Sequence, residues 1–259
     1  MLLEGIKYPL EVKLGKTVSF SIKGLETKEL SLYEIPALVG VLDFVGLGLP
    51  FREGLKTIVV LPSNCLGYTR IRIRRGDGQG WFYTDISNQN ALALANYLTK
   101  ISKSTNFVGV NFANSFLSVS KGKNYYKLTA KHGELLKIVY LNENEKHFFV
   151  SALKIAVFGR YTSKIKISLV KGSLTLQEKF SFEDKEKEEE WSKKIPILWQ
   201  NALEKGKYPA ITLRELLKQK GESFRSFIRL KVSDGKGERV MVPLPLTWAW
   251  GLAKMLEVF

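Results

Sequence analysis

One strand–loop–strand pattern occurs twice in this chain of 259 residues, and the repeat limits the possible folds more than any other feature. Sliding the chain along itself by 157 residues places Ile71 on Ile228. The same shift superimposes these further pairs: Arg72 and Arg229, Ile73 and Leu230, Arg74 and Lys231, Asp77 and Asp234, Gly78 and Gly235, Gly80 and Gly237. Because side chains two apart share one face of a strand, each copy is a predicted hairpin with cations on one face and aliphatic side chains on the other.

The repeat extends beyond this hairpin. Gly15 falls on Gly172 at the same shift, each inside an alternating two-strand pattern. An Ile-Pro pair follows in each half, at 35–36 and at 195–196. Each half then closes on an amphipathic helix, predicted over 90–101 and 247–258, whose apolar residues recur every three or four positions.

The stretch between the halves has a similar form. Strands are predicted over 106–112, 116–120, 125–130 and 135–141, and a helix over 143–158. We therefore expect an α+β protein of internally duplicated, antiparallel ββββα units whose sheets pack with helices. Three units are expected: 1–103, enlarged as ββ(α)ββα; 104–161, a central ββββα; and 162–259, enlarged and homologous to the first.

The charge balance favours a polyanionic partner. Forty Lys and Arg against 25 Asp and Glu give a formal net charge of +15, which attracts nucleic acid strongly and without regard to sequence. An anionic membrane surface and a basic surface that serves only solubility are the alternatives. The acid-rich run 183–190 is typical of a solvated helix start, and its alternative is a patch for a basic protein.

Segments for export or membrane insertion are not evident in the sequence. The start of the chain has an acid, Glu4, where a signal peptide needs continuous apolar residues. The apolar run 35–47 contains Asp43 and is too short to span a bilayer. We expect an intracellular protein, cytoplasmic or nucleoid-associated, with no membrane partner. Cys65 is the single cysteine, which excludes an intrachain disulfide and a cysteine-based zinc site.

The residues for catalysis are sparse. His132 and His147 lack a metal-ligand spacing, and no phosphate loop or nucleophile elbow occurs. The glycine-rich loops after Arg75 and Ser233 join two strands, so they are interpreted as hairpin turns rather than phosphate cradles. We expect no catalytic residue, no metal and no cofactor, and hence no enzyme. A nuclease would need acids that only the fold could bring together.

Cations and aromatic residues alternate where binding is expected. Cations can follow phosphates while rings stack on unpaired bases, so this mixture suits single strands. The candidate binding residues are Tyr68, Arg70, Arg72, Arg74, Arg75, Trp81 and Tyr83 in the first copy; Lys123, Tyr125 and Lys127 in the middle; and Phe227, Arg229, Lys231 and Arg239 in the second copy. Each aromatic residue could instead fill core space.

The segment from Phe227 through Pro245 into the helix at 248–256 resembles the ββββα repeat of the PUR and Whirly families, and 68–100 resembles it next best. In those families a curved antiparallel sheet binds single-stranded DNA or RNA, and two repeats intertwine through their helices. The resemblance implies that the basic and aromatic residues of both hairpins form the binding surface. Helical insertions in both outer units depart from the family pattern.

The sequence thus predicts a non-enzymatic protein that binds single-stranded DNA or RNA with little base specificity. The alternative is a structural or assembly subunit of a nucleoprotein complex, in which the sheets and the Ile-Pro helices contact proteins. A protein partner or a homo-oligomer fits either prediction.

Overall fold

The computed structural model describes residues 1–27, 29–74, 80–158, 164–182, 184–207, 209–222 and 224–259. These residues form two compact units. Unit 1 comprises Met1–Asn111, Leu117–Lys123 and Thr247–Phe259, and unit 2 comprises Phe112–Phe116 and Asn124–Leu246. The α+β class is confirmed. The three predicted units, 1–103, 104–161 and 162–259, stay a prediction.

The first half of the chain builds two antiparallel sheets of four strands each. The first sheet is β1 (Leu2–Leu3), β2 (Leu10–Leu14), β3 (Val18–Ile22) and β4 (Leu25–Glu26), in that spatial order. The second is β5 (Glu53–Gly54), β6 (Ile58–Pro62), β7 (Tyr68–Arg74) and β8 (Trp81–Ser87). Helix α1 (Ile35–Gly46) lies between them in sequence, and α2 (Asn88–Leu98) and α3 (Lys100–Thr105) follow.

The middle and the second half of the chain each build a further four-stranded sheet. The third sheet has the order β12-β11-β10-β9, from β9 (Phe107–Phe112), β10 (Ser115–Lys121), β11 (Tyr126–His132) and β12 (Leu135–Leu141). Helix α4 (Glu143–Phe158) follows it. The fourth sheet is β13 (Ile165–Leu169), β14 (Gly172–Phe182), β15 (Phe224–Ser233) and β16 (Val240–Leu244). Helices α5 (Lys185–Glu204) and α6 (Pro209–Gln219) are inserted before β15, and α7 (Leu246–Glu257) ends the chain.

The described residues thus form four sheets, where three ββββα units were expected. The middle (β9–β12) and the second half (β13–β16) each form one sheet in the expected strand order. The first half divides its strands between two sheets, β1–β4 and β5–β8. Strands β1, β4 and β5 complete those two sheets and have two residues each. A strand of two residues is too short to show a period-2 pattern, so the sequence could not reveal the division.

The Ile-Pro helix of the first half is the centre of unit 1. All twelve residues of α1 are buried, and they pack against α2, β6 and β7. Helix α7 crosses α1 at two glycines: a Cβ atom on Gly40 would lie 1.7 Å from the carbonyl oxygen of Thr247. A Cβ atom on Gly251 would lie 1.6 Å from the carbonyl oxygen of Pro36. Only glycine allows the two backbones to approach this closely.

Polar groups lock the same helix pair. The carboxylate of buried Asp43 on α1 accepts hydrogen bonds from Trp250 Nε1 at 2.6 Å and from Lys254 Nζ at 2.7 Å, both on α7. Lys254 also donates to Asn96 Oδ1 of α2 at 2.9 Å. A buried carboxylate needs such partners, since an unpaired charge in the interior is costly.

Local signals explain where three other helices begin. Ser87 caps α2, its Oγ accepting from the backbone nitrogen of Asn90 at 3.1 Å. Asn142 and Glu145 form a reciprocal capping box at the start of α4, at 2.8 and 2.9 Å. Asp184 caps α5 and residues 184–190 are exposed, so the described part of the acidic run is a solvated helix start. A protein contact there stays a prediction, and Glu183 lies outside the described residues.

Candidate nucleic-acid interface

Strand β7 separates its cations from its core residues as the alternation predicts. Its inward-facing residues are Thr69, Ile71 and Ile73, all of them buried. Its outward-facing residues are Tyr68, Arg70, Arg72 and Arg74, which are half-buried or exposed. The inward side chains anchor the strand in unit 1, and the outward ones form a column on the surface of the sheet.

The opposing strand places aromatic rings beside this column. Arg72 is paired with Tyr83 and Arg74 with Trp81 in the antiparallel register. The closest cation–ring contact of Arg72 is diagonal, with its guanidinium carbon 5.5 Å from the centroid of the Trp81 ring. We call the outward residues of β7 and β8, together with Lys7, the basic-aromatic face. It is a continuous set of alternating cations and rings.

Trp81 and Tyr83 lie on the surface. Trp81 is 37% and Tyr83 36% exposed, whereas Thr84 and Ile86 on the opposite side of β8 are fully buried. The possibility that these two rings fill the core is therefore excluded. More than a third of the area of each residue is therefore accessible to a ligand.

Arg70 is held by an acid on the neighbouring strand. Its Nε and Nη2 donate to the two carboxylate oxygens of Asp85 at 2.8 and 2.9 Å. Asp85 is buried, and its hydrogen bonds to Arg70 keep the pKa of its carboxyl group below the ordinary value despite the opposing effect of burial. The same bonds raise the pKa of Arg70. The pair is therefore charged but neutral overall, and the guanidinium carbon of Arg70 lies 4.6 Å from the Tyr83 ring centroid.

Sequence reasoning missed Asp85, although a signal was present. Trp81, Tyr83 and Asp85 are two residues apart, so they share a face of β8, and Asp85 is opposite Arg70 in the register. Arg70 is therefore better described as a positioning residue that supports the Tyr83 ring than as a free phosphate ligand.

Lys7 is a second residue that the sequence did not reveal. Its Nζ donates to the Tyr83 hydroxyl at 3.1 Å and lies 5.2 Å from the centroid of that ring. The hydrogen bond to Tyr83 raises the pKa of Lys7, so the ammonium stays charged. Lys7 and Tyr83 are 76 residues apart in the chain, and no local pattern links them.

The segment around Lys7 lies along the edge of β8. The backbone nitrogen of Ile6 donates to the carbonyl oxygen of Asp85 at 2.9 Å, and Thr84 Oγ1 donates to the carbonyl oxygen of Tyr8 at 2.6 Å. Gly5 forms a bridge with Ile86, and a Cβ atom on Gly5 would lie 2.1 Å from Thr84 Oγ1. The close approach that only glycine permits therefore fixes the position of Lys7.

The middle candidates belong to the third sheet and to the connection before β11. Tyr125 is exposed and packs edge-to-face on Tyr140 with ring centroids 5.3 Å apart. Lys127 is half-buried and opposite Tyr140 in the register of β11 and β12. Lys123 is exposed in the connection that precedes β11. Tyr140, with 55% of its area exposed, was not among the predicted residues.

The second copy keeps the cations but changes what faces them. Arg229 is opposite Gln177 and Pro243, and Lys231 is opposite Thr175 and Met241. Phe227, Arg229 and Lys231 are all half-buried on the outward side of β15, and Arg239 is exposed ahead of β16. Within unit 2, the β11–β12 set and the β15–β16 set lie on two different sheets. Arg75 lies outside the described residues.

Other site chemistry has little support in the part of the chain that the structure describes. No group of three or more His, Cys, Asp or Glu side chains there is arranged to hold a metal ion. None of the described helices combines the length and the apolar character needed to cross a bilayer. We therefore take the basic-aromatic face, with its exposed rings beside cations, as the candidate site among the described residues.

Comparison with known proteins does not add a relative. No protein-family model matches the chain, and a search of curated proteins finds no significant match.

Proposed function

We propose that this protein binds single-stranded DNA or RNA on the basic-aromatic face of unit 1 and is not an enzyme. The observation that carries the proposal is the alternation of exposed Trp81 and Tyr83 with Arg72, Arg74 and Lys7 on one sheet surface. Cations attract phosphates over a distance, and ring faces stack on bases once a strand is bound.

Single strands fit this face better than duplexes. Trp81 and Tyr83 are two positions apart on β8, which separates their Cα atoms by roughly 7 Å along the strand. Their rings can stack only on bases whose faces are uncovered, whereas the bases of a duplex already stack on each other. Stacking contributes roughly 1–3 kcal/mol per base, comparable to several phosphate contacts screened by salt.

Little base specificity is proposed. Reading a base needs hydrogen-bonding groups that match its edge, such as amides or carboxylates. The carboxylate among the described residues of this face belongs to Asp85, and both of its oxygens are engaged by Arg70. We expect the remaining cations to contact phosphates and the rings to stack on any base, features that all nucleotides share.

We also propose that the two halves arose by duplication of a PUR/Whirly-like ββββα unit. The 157-residue shift and the β13–β16 sheet, which ends in a helix as the family repeat does, support this ancestry. The remaining predicted residues of the middle and second sets are proposed to give weaker, auxiliary contacts to nucleic acid.

A direct test compares fluorescein-labelled single-stranded DNA, single-stranded RNA and duplex DNA by fluorescence anisotropy at a series of salt concentrations. We expect both single strands to bind more tightly than the duplex. The double variant Arg72→Gln/Arg74→Gln should lower the steepness of the salt dependence by about 1.4, since each single-strand phosphate contact contributes about 0.7.

The second copy offers the matched control for this test. Arg229→Gln/Lys231→Gln removes the same charge from the corresponding strand, and we expect it to change the slope by less than half as much. An unchanged slope in the first double variant would overturn the assignment of the site. Circular dichroism and the unfolding midpoint confirm that each variant is folded.

The second candidate function is an assembly subunit that contacts proteins. One specific observation favours it: Ile197 on the second Ile-Pro helix is 64% exposed, an unusual place for a large aliphatic side chain in a helix. Gel filtration with and without oligonucleotide separates the two functions, because an assembly subunit without nucleic-acid affinity elutes unchanged.

A further inference from the structure

An apolar groove runs between α5 and α6 in unit 2. It encloses about 330 Å³ and is lined by Trp191, Lys194, Ile197, Leu198, Leu216 and Lys220. Its floor rests on a packed cluster that includes Phe180, Phe182 and Leu217. The wall formed by Ile197 is open to solvent, so the groove presents apolar surface to the outside.

The first half of the chain shows what this helix looks like when it is covered. The Ile-Pro pairs align at a shift of 160 residues, which places Ala37 and Leu38 of α1 on Ile197 and Leu198 of α5. Ala37 and Leu38 are fully buried, whereas Ile197 is 64% exposed and Leu198 is only partly buried. The second helix therefore has apolar residues at the two positions that are fully buried in the first helix. In the second helix one of them, Ile197, is exposed and the other, Leu198, is only partly buried.

The charges around the groove indicate what could cover it. Lys194 and Lys220 both line it, Lys194 from α5 and Lys220 from the residue after α6. The ammonium of Lys194 also pairs with Glu190 and lies 5.4 Å from the centroid of the Trp191 ring. An occupant that brings carboxylates would meet Lys220 and would compete with Glu190 for Lys194 beside an apolar floor, whereas an occupant that brings cations would face Lys220.

We propose that this groove docks an acidic amphipathic segment of a protein partner. Its apolar side chains enter between Ile197 and Leu216, and its carboxylates face Lys194 and Lys220. Helix-in-groove recognition of this kind uses apolar anchors spaced by three or four residues and a charged border. The groove is a surface separate from the basic-aromatic face, and its role does not depend on nucleic-acid binding.

The test uses the full chain and three synthetic amphipathic peptides that share one leucine face and carry Glu, Gln or Lys on the other. Anisotropy of the labelled peptides at physiological salt should give the affinity order Glu, Gln, Lys. Ile197→Asp should weaken the Glu peptide at least about tenfold, since central apolar anchors dominate such interfaces. The control Val170→Asp changes another residue of unit 2, 82% exposed and outside the groove, and should leave affinity unchanged.

A charge exchange separates the groove from the general attraction of a basic protein for acidic peptides. Lys194→Glu/Lys220→Glu should reverse the order so that the Lys peptide binds most tightly. Lys166→Glu/Lys171→Glu, with the same change of net charge elsewhere in unit 2, should preserve the original order. Equal effects of the two double variants, full affinity in Ile197→Asp, or displacement of the peptide by an oligonucleotide would each overturn the proposal.

Discussion

The two copies of the repeated hairpin share a strand and differ in its partner. In the first copy Arg72 and Arg74 face Tyr83 and Trp81, and in the second copy the corresponding Arg229 and Lys231 face Pro243 and Met241. The inward residues are aliphatic and fully buried in both copies, or nearly so. The two copies therefore agree on the side of the strand that builds the core. They differ in the outward residues of the neighbouring strand.

The Ile-Pro helices show the same divergence on a larger scale. Helix α1 is buried on every side, whereas the described residues of α5 include only Trp191 and Ala202 as buried side chains. Glycine explains part of the difference: Gly40 of α1 lets α7 approach, and Gln200 stands at the corresponding place in α5. A small residue permits close helix packing, and a long polar one keeps that face in water.

The largest expected effect tests this contrast between the helices. Gly40→Ala places a methyl group where the Thr247 carbonyl already lies, so the crossing of α1 and α7 must open. We expect a loss of about 3 kcal/mol in the free energy of unfolding, the upper end for overpacking in a core. Chemical denaturation measures it. Gln200→Ala, at an exposed position of α5, should stay within about 0.5 kcal/mol of wild type. Similar losses in both variants would contradict the contrast.

The next effect concerns the rings that only the first hairpin has. Trp81→Ala/Tyr83→Ala should weaken binding of a single-stranded oligonucleotide at least roughly 30-fold, since each of two stacked bases contributes roughly 1–3 kcal/mol. Met241→Ala/Pro243→Ala alters the corresponding positions of the second copy and should change affinity less than about threefold. Anisotropy at one fixed salt concentration checks both. A comparable loss in the second pair would mean that the divergence of the copies does not matter for binding.

The smallest effect probes the ion pair of the first copy. Arg70 aligns with Phe227, so the pair with Asp85 has no counterpart in the second copy. Asp85→Asn should lower the free energy of unfolding by about 1.5 kcal/mol at neutral pH, the lower end for hydrogen bonds to charged groups, because Asn keeps one acceptor oxygen. Urea denaturation at several pH values measures it.

The pH dependence of that loss gives an internal check. The folded-state pKa of Asp85 is lowered, so the carboxylate stabilises the fold above the unfolded pKa of about 3.9, and this contribution disappears as pH falls through the lower folded value. Wild type and Asp85→Asn should therefore converge in acid. The exposed pair Lys13–Glu26 serves as control, with Glu26→Gln expected to cost at most about 1 kcal/mol. A pH-independent difference for Asp85→Asn would contradict the role of its charge.

Local pattern predicted the structure well where one face of an element is buried. Strand β12 and helix α4 have the predicted bounds, and β7 alternates as expected, because period-2 and period-3.6 patterns are set by neighbours in the chain. Strand β6 is entirely apolar apart from its proline end and gives no alternation to detect. The division of the first half into two sheets depends on strands of two residues, which carry no pattern at all.

The candidate site was predictable in part for the same reason. The arginine column and the two rings follow from alternation, and Asp85 could have been found from the same rule applied one step further along β8. Lys7 reaches Tyr83 only because the segment around Gly5 lies along the edge of that strand. Contacts between distant segments depend on the assembled fold and leave no trace in sequence spacing.

The position of α7 in the sequence has a consequence for the order of folding. Residues 247–259 complete unit 1, yet they follow the whole of unit 2 along the chain. During synthesis the surface of α1 around Gly40 therefore stays exposed until α7 has been made. Domains that fold as they emerge from the ribosome avoid exposing apolar surface, and unit 1 cannot do so fully. A nascent chain of this protein should accordingly depend on chaperones until residues 247–259 have been made.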